Sequence, residues 1–230
     1  MRTAVVFVLL SLNAWTACKE KPSFPSELTQ YSEPVQGILP YFQGTRMDPF
    51  WPHSKDRPAD LRRMNNAIFR TEQDKPASAL DHAKGKYSLV TFFYSSCVGL
   101  CPLIAENMKN LSSRIEDQSD IQFISITIDP EIDDVKALQK FRAKHSIAQT
   151  NWILLTGDKK ATESLAREQF AGEIKIKEGK AGLVDFVHTE NVFLLDKEGY
   201  LRGVYRARGV GDFPRLLADL KRLRDGDRKN

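Results

Sequence analysis

The sequence predicts an α/β protein in which helices cover both faces of a central mixed sheet. The observations behind this are two continuous apolar runs, amphipathic stretches between them, and a hairpin pattern followed by a final helix. Continuous runs of β-branched and aromatic residues are typical of strands buried on both faces. Alternation of such strands with helices indicates parallel neighbours, and the hairpin adds an antiparallel pair.

The first half of the predicted sheet begins with a strand over Tyr87–Tyr94, and Pro102 is expected to open the following helix. The second strand is predicted over Ile121–Ile128. The two helices are indicated by apolar residues at helical spacing: Ile104, Met108, Leu111 and Ile115 in the first, and Val135, Leu138 and Phe141 in the second.

The second half begins with a short strand over Trp152–Leu155 and a helix over Lys159–Phe170. A hairpin is predicted from Asn191–Leu195 and Tyr200–Tyr205, with the turn DKEG between them. The last helix is expected to start at Asp212 as N-cap, with Pro214 in its first turn. Its apolar stripe is Phe213, Leu216, Leu217, Leu220 and Leu223.

The amino end has the pattern of an export signal. Residues 1–17 contain one arginine, an apolar run over Ala4–Leu12 and then small residues before Cys18, which is the layout of a signal peptide. The context resembles a bacterial lipobox, in which Cys18 is the lipidated first residue; an uncleaved short anchor is the alternative. Residues 18–40 contain four prolines and no apolar period, and we interpret them as a flexible tether.

The remaining boundaries follow from these patterns. Residues 41–84 are expected to form an N-terminal extension of irregular segments and a short hairpin that packs on the core. Residues 85–225 form the predicted α/β domain, and residues 226–230 a frayed tail.

Composition excludes several classes of protein. The chain is 41% hydrophobic and 28% charged, which excludes collagenous and wholly disordered proteins. The net charge of +4 reflects a basic segment from Tyr200 to Asn230, with nine basic and four acidic residues. Because aromatic residues are not interleaved with these cations, we expect a solvated helix face and no nucleic-acid binding. Docking of an acidic partner remains an alternative.

Two of the three cysteines, Cys97 and Cys101, follow the first buried strand, at the sheet edge where open α/β proteins build their sites. A disulfide across this spacing would close a very short loop and stabilise the fold by only about 2 kcal/mol. Thiolates at a helix N-terminus are reactive, and as soft ligands they favour Cu(I), zinc or iron–sulfur clusters. The sequence therefore favours a metal or redox site over a structural bridge, and the small number of donors suits copper.

Four histidines, at positions 53, 82, 145 and 188, could supply a third ligand. In a thioredoxin-like sheet the segment before the hairpin strand faces the cysteine turn, so topology favours His188. A surface or core imidazole stays open for His188 and is favoured for the other three. Asp129 ends the second buried strand at the same edge, where it could orient a ligand or simply open a turn.

Taken together in order, these segments resemble the SCO/SenC family of thioredoxin-fold copper proteins that are linked to cytochrome c oxidase assembly. The segments that carry the resemblance are LPYF (Leu39–Phe42), DPFW (Asp48–Trp51), GKYSLVTFFYSSCVGLCP (Gly85–Pro102), ISITIDPEID (Ile124–Asp133), NWILLTG (Asn151–Gly157) and HTENVFLLDKEGYLRGVY (His188–Tyr205).

The resemblance implies a thioredoxin-like sheet with an inserted hairpin, copper ligands at Cys97, Cys101 and His188, and Asp129 near the site. It implies binding of Cu(I), or also Cu(II), for a metallochaperone that matures the CuA centre of cytochrome c oxidase. We therefore expect subunit II of the oxidase, or another copper-accepting membrane protein, as partner. The chain is expected to be a monomer, lipid-anchored on the periplasmic side of a bacterial membrane.

Two other functions stay open. One is a thiol–disulfide oxidoreductase that reduces the acceptor's cysteines, in which Cys97 attacks and Cys101 resolves. Copper binding needs His188, whereas dithiol exchange largely does not. The other is an interaction module in which the metal site is incidental.

Overall fold

The structure is a computed structural model that describes residues 34–52, 57–171 and 190–228, with the backbone of Lys175–Glu178 and Val184–Val187. The predicted signal peptide and most of the tether, including Cys18, lie outside these residues, as do His53 and His188. No helix in the described part of the chain is long and apolar enough to cross a membrane.

The chain first forms two hairpins and then alternates strands with helices. The strands are β1 (Tyr41–Gln43), β2 (Asp48–Phe50), β3 (Ile68–Thr71), β4 (Pro76–Ser78), β5 (Tyr87–Phe93), β6 (Ile121–Thr127), β7 (Trp152–Gly157), β8 (Lys175–Glu178), β9 (Val184–Val187), β10 (Asn191–Leu195) and β11 (Leu201–Arg206). The helices are α1 (Ala79–Ala83), α2 (Leu100–Ser113), α3 (Val135–Lys144), α4 (Lys159–Phe170) and α5 (Phe213–Asp227).

Seven strands form one mixed sheet in the order β11-β10-β5-β6-β7-β3-β4. The contacts of β5 with β6 and of β6 with β7 are parallel, and the remaining pairs are antiparallel. Every residue of β5 and β6 is buried, which agrees with the high content of β-branched and aromatic residues in both strands. The predicted mixed sheet is confirmed, and β8 with β9 forms a separate antiparallel hairpin before β10.

Helices cover both faces of this sheet, as two neighbouring residues of β5 demonstrate. Phe92 and Phe93 point to opposite faces because side chains alternate along a strand. The ring of Phe92 lies 5.4 Å from that of Phe170 in α4, whereas the ring of Phe93 lies 4.5 Å from that of Phe141 in α3. Helices α3 and α4 therefore pack on opposite faces, as the sequence predicted.

The N-terminal extension, expected to form irregular segments and a short hairpin on the core, contributes two strands to the main sheet. Strand β3 pairs with β7, and Gly157 lies opposite Phe69 in that pairing. A Cβ atom at Gly157 would come within 2.7 Å of the Phe69 ring, so the glycine permits this close approach. The sequence indicated a short hairpin in this region, but short strands lack the continuous pattern of β5, and their pairing with β7 was not indicated.

A buried ion pair joins this added hairpin to the domain. The carboxylate of Glu72, 3% exposed, accepts a 2.5 Å hydrogen bond from the Arg142 guanidinium of α3. Its second oxygen accepts the backbone N–H of Leu154 in β7 at 2.9 Å. Removing one member of such a pair leaves its partners buried without a counter-charge or acceptor.

We therefore predict that Glu72→Ala lowers the free energy of unfolding by about 3 kcal/mol. The urea midpoint should fall while the slope of the transition stays the same. Arg70→Ala is the matched control, since it removes the exposed pair with Asp74 and should cost less than about 1 kcal/mol. Equal effects of the two substitutions would show that Glu72 does not join the hairpin to the domain.

Candidate metal and thiol site

The two cysteines lie at the carboxyl edge of the parallel strands. Cys97 is in the loop after β5, and Cys101 is in the first turn of α2. The helix begins at Leu100, two residues before the predicted start at Pro102. Proline is compatible with this position because the first-turn N–H groups have no partner within the helix.

One of these first-turn N–H groups contacts the other cysteine. The backbone N–H of Cys101 donates to Sγ of Cys97 over 3.3 Å, and the Cys101 thiol donates to the same sulfur. Neither cysteine is part of a disulfide, and the exposed fractions are 6% for Cys97 and 1% for Cys101. The helix start therefore brings the two sulfur atoms into contact without a covalent bond.

The environment makes the two thiols chemically different. Burial opposes ionisation of Cys97, but hydrogen bonds to its sulfur from Cys101, Gly99 and Tyr94 outweigh burial and lower its pKa. Burial raises the pKa of Cys101, and so do its hydrogen bond to Cys97 and the negative charge of Asp133. The expectation that the helix N-terminus activates both thiols is thus met only at Cys97, because Cys101 is more deeply buried.

Asp133 is a residue of the site that the sequence did not single out. Its buried carboxylate accepts the backbone N–H of Ser95 at 2.9 Å and the hydroxyl of Thr127 at 2.5 Å. The hydroxyl of Ser95 also donates to it. Asp133 therefore ties the loop that carries Cys97 to the end of β6. The sequence shows an acidic residue four positions after Asp129, but no local pattern indicates its contact with Ser95, which is 38 residues away.

Asp129 lies at the end of β6 as predicted, half-buried. Its backbone N–H donates to the Thr127 hydroxyl at 3.0 Å, and no described residue donates a hydrogen bond to its carboxylate. Burial raises the pKa of this carboxyl, and the nearby charges of Asp133 and Glu131 raise it further. The contacts of Asp133 with the cysteine loop have no counterpart at Asp129.

Two of the four histidines lie away from the cysteine edge. His82 is in α1, which precedes the amino end of β5, and the strand separates the two ends by roughly 20 Å. His145 caps the carboxyl end of α3, about 15 Å along the helix from its start near β6. It packs on Phe141 with ring centres 4.4 Å apart, and burial lowers its pKa. The sequence favoured a surface or core imidazole at both positions, and both lie away from Cys97 and Cys101.

The donor set agrees with a soft metal ion. Cys97 and Cys101 supply two contacting sulfur atoms, and soft thiolate ligands favour Cu(I), zinc or iron–sulfur clusters. Within residues 34–52, 57–171 and 190–228, no group of three or more Cys, His, Asp or Glu side chains has the geometry of a metal site.

The fold and the cysteine pair define a class of protein: a thioredoxin-like domain with a dithiol at the carboxyl edge of its central strands. The model of the SCO1/SenC family matches residues 68–224, which is more than half of the chain. The chain therefore belongs to the SCO1/SenC family.

Individual relatives agree with this assignment. The SCO1 protein homolog of Bacillus subtilis (strain 168) is 27% identical over 151 residues, which cover 65% of this chain and 77% of the homolog. A SCO1/SenC family lipoprotein from Bacillus anthracis str. Ames has a TM-score of 0.62 and 26% identity, covering 70% of this chain and 95% of its own.

Two further solved structures share the fold. BsSco, described as a member of the Sco family of cytochrome c oxidase assembly proteins with a disulfide switch, has a TM-score of 0.61 and 26% identity, covering 70% of this chain and 93% of its own. ScoI of Bradyrhizobium japonicum, solved with copper bound, has a TM-score of 0.54 and 22% identity. The match covers 68% of this chain and 96% of the ScoI chain.

The unequal thiols predict unequal alkylation. In the reduced full-length protein, iodoacetamide should modify Cys97 with a half-maximal rate at a pH below 9.0, since only the thiolate reacts and its pKa is lowered. Cys101 should require a pH above 9.0, because its pKa is raised. Mass spectrometry of the peptides that contain each cysteine measures both rates. Equal rates across the pH range would contradict the hydrogen-bonded arrangement.

Proposed function

We propose that this protein binds copper through Cys97 and Cys101 and delivers it to a copper-accepting membrane protein during cytochrome c oxidase assembly. The observation that carries the proposal is the contacting pair of reduced cysteines at the carboxyl edge of the central strands in a SCO1/SenC domain. A solved relative with copper bound and another described as an oxidase assembly protein support the choice of cargo and pathway.

The proposed third ligand is the imidazole of His188. Strand β10 runs antiparallel to β5, with Phe193 opposite Val90 and Leu195 opposite Ser88. The chain therefore enters β10 at the end of β5 from which the cysteine loop leaves. His188 precedes Asn191, the first residue of β10, by three positions in the sequence. A site of two thiolates and one imidazole leaves Cu(I), or Cu(II), open to an incoming acceptor ligand, so that transfer proceeds by ligand exchange.

Within this proposal each residue has a distinct role. Cys97 supplies the thiolate that forms at lower pH, and Cys101 must release its proton as it binds the metal. Asp133 holds the loop of Cys97 against β6. Asp129 provides a carboxylate at the same strand end, where it orients a ligand through the second coordination shell.

The second candidate function is thiol–disulfide exchange, and the difference between the two thiols favours it specifically. The Cys97 thiolate attacks one sulfur of an acceptor disulfide and releases the other sulfur as a thiolate. Cys101 then attacks Cys97 in the mixed disulfide, which frees the second acceptor thiol. The acceptor gains two electrons and two protons, and the Cys97–Cys101 disulfide forms. This route does not need an imidazole.

The copper proposal predicts that the reduced protein binds one copper ion and that His188→Ala weakens this binding more than about 100-fold. Cu(I) titration against a competing chelator measures the affinity. The matched controls are His82→Ala and His145→Ala, whose imidazoles lie away from the cysteine edge and should leave the affinity within about twofold. Equal affinity in all three variants would reject His188 as a ligand and favour the thiol-exchange function.

We further propose that the protein is exported and held at the periplasmic face of a bacterial membrane by a lipid on Cys18. The signal-like residues 1–17 and the lipoprotein relative from Bacillus anthracis support this location. Cys18→Ser should move the protein from the membrane fraction to the soluble fraction, whereas Cys97→Ser should leave it in the membrane fraction. Immunoblots of fractionated cells measure the distribution. Retention of the Cys18 variant in the membrane would favour an uncleaved anchor.

A further inference from the structure

One surface near the cysteine loop has a strong charge that the fold does not explain. Helix α3 has the sequence VKALQKFRAK, which contains four cations and no acidic residue. Lys136, Lys140 and Lys144 are spaced four residues apart and exposed, so they form a stripe along one side of the helix. The fourth cation, Arg142, contributes to the fold through its pair with Glu72.

No acidic side chain within the described residues forms an ion pair with any of these three lysines. The basic segment at the carboxyl end differs, since its cations on α5 are largely paired with acids. These pairs are Arg215 with Asp212, Lys221 with Asp225, Arg222 with Asp219, and Arg224 with Asp120. Like charges four residues apart repel each other along a helix, and of the three lysines only Lys144, in the last turn, gains from the helix dipole.

The lysine stripe borders a pocket with an apolar floor. The pocket has a volume of about 500 Å³ and is lined by all three lysines together with Phe141 and Ile132. Phe141 is buried, whereas Ile132 is 63% exposed at the pocket. We call this pocket and its three lysines the α3 lysine pocket.

One carboxylate also lines the α3 lysine pocket. It belongs to Asp134, the N-cap of α3, and it accepts the backbone N–H of Ala137 at 2.8 Å. The three lysines outnumber it, so the formal charge of the lining residues is positive. The pocket therefore combines a positive rim with an apolar interior.

The α3 lysine pocket is next to the thiol site. Ser95 lines it, and Ser95 precedes Cys97 by two residues in the same loop. The contacts of Ser95 with Asp133 fix this part of the loop against the end of β6. A molecule bound in the pocket thus lies beside the segment that carries Cys97.

We propose that the α3 lysine pocket is a docking site for an acidic protein segment with an apolar side chain, on the partner that exchanges copper or electrons with Cys97 and Cys101. Carboxylates of the segment pair with the lysines, and its apolar side chain occupies the space above Phe141. A flat anionic membrane would also attract the lysines, but it would not fill a concave apolar pocket. The identity of the exchanged cargo rests on the proposed function above, whereas the charge and shape of the site do not.

Charge reversal tests this proposal with a labelled peptide of glutamates around a single leucine as probe. The combined variant Lys136→Glu, Lys140→Glu and Lys144→Glu should weaken peptide binding to the full chain by at least about tenfold at low salt. The control combines Lys75→Glu, Lys84→Glu and Lys160→Glu, which changes the net charge equally at other exposed lysines. The control should bind the peptide within about twofold of the native chain. Equal weakening in both variants would show a general charge effect and overturn the proposal.

The apolar part of the site has its own test. Replacing the leucine of the peptide by serine should weaken binding to the native chain, and Ile132→Ser should have the same effect. Unchanged binding in both cases would show that only charge contributes to binding, and it would overturn the proposal that an apolar side chain occupies the pocket. Ile132 is exposed, so this substitution leaves the core unchanged.

A membrane as occupant is tested with phosphatidylglycerol vesicles in the Cys18→Ser background. Vesicle binding that needs the three lysines, together with peptide binding that does not, would overturn the proposal of a protein partner and indicate a membrane as occupant.

Failure of the docking site is also distinguishable from failure of the proposed function. Cu(I) affinity should be unchanged in the α3 variant, while copper transfer to the soluble domain of oxidase subunit II should slow only in that variant. If the native chain binds no copper, peptide binding still decides the docking site.

Discussion

Burial of β5 and β6 on both faces is the constraint from which the site follows. All seven residues of each strand are buried, so neither strand has a solvent-facing side that could carry reactive groups. The polar side chains within the strands are buried, as in the 2.8 Å hydrogen bond between Thr91 and Ser125, and the cysteine site lies beyond the strand ends. The carboxyl ends of the two parallel strands meet at one edge, with Phe93 opposite Thr127. The cysteine loop after β5 and the acidic loop after β6 are neighbours for this reason.

At this edge, a small number of hydrogen bonds determines the chemistry of the thiols. Asp133 accepts hydrogen bonds from Ser95 and Thr127, which joins the two loops. The start of α2 directs the N–H of Cys101 at the sulfur of Cys97. As a result, two cysteines that are equivalent in the sequence motif become a readily ionised thiol and a protonated one. The proposed dithiol exchange uses this difference, whereas the proposed copper binding requires Cys101 to release its proton.

The N-terminal hairpin shows how a region with a weak sequence pattern becomes part of the domain. Strands β3 and β4 are short, and only alternate residues of β3 are buried. Their attachment depends on Gly157, which leaves room for Phe69, and on Glu72, which bonds Arg142 and Leu154. The domain therefore begins before the Gly85 boundary that the sequence patterns indicated, since the sheet includes Ile68–Thr71 and Pro76–Ser78.

The sequence by itself determined the central strands, the major helices and the spacing of the cysteine pair, because these depend on the local period of apolar residues. Helix α4 was predicted with the bounds that the structure has, Lys159–Phe170. Only the tertiary structure decided which polar residues meet. Asp133 and Ser95 are 38 residues apart, and Glu72 and Arg142 are 70 apart. Local patterns contain no information on such distant pairs, and the pKa values of Cys97 and Cys101 depend on burial and hydrogen bonds that exist only after the sheet and α2 have packed together.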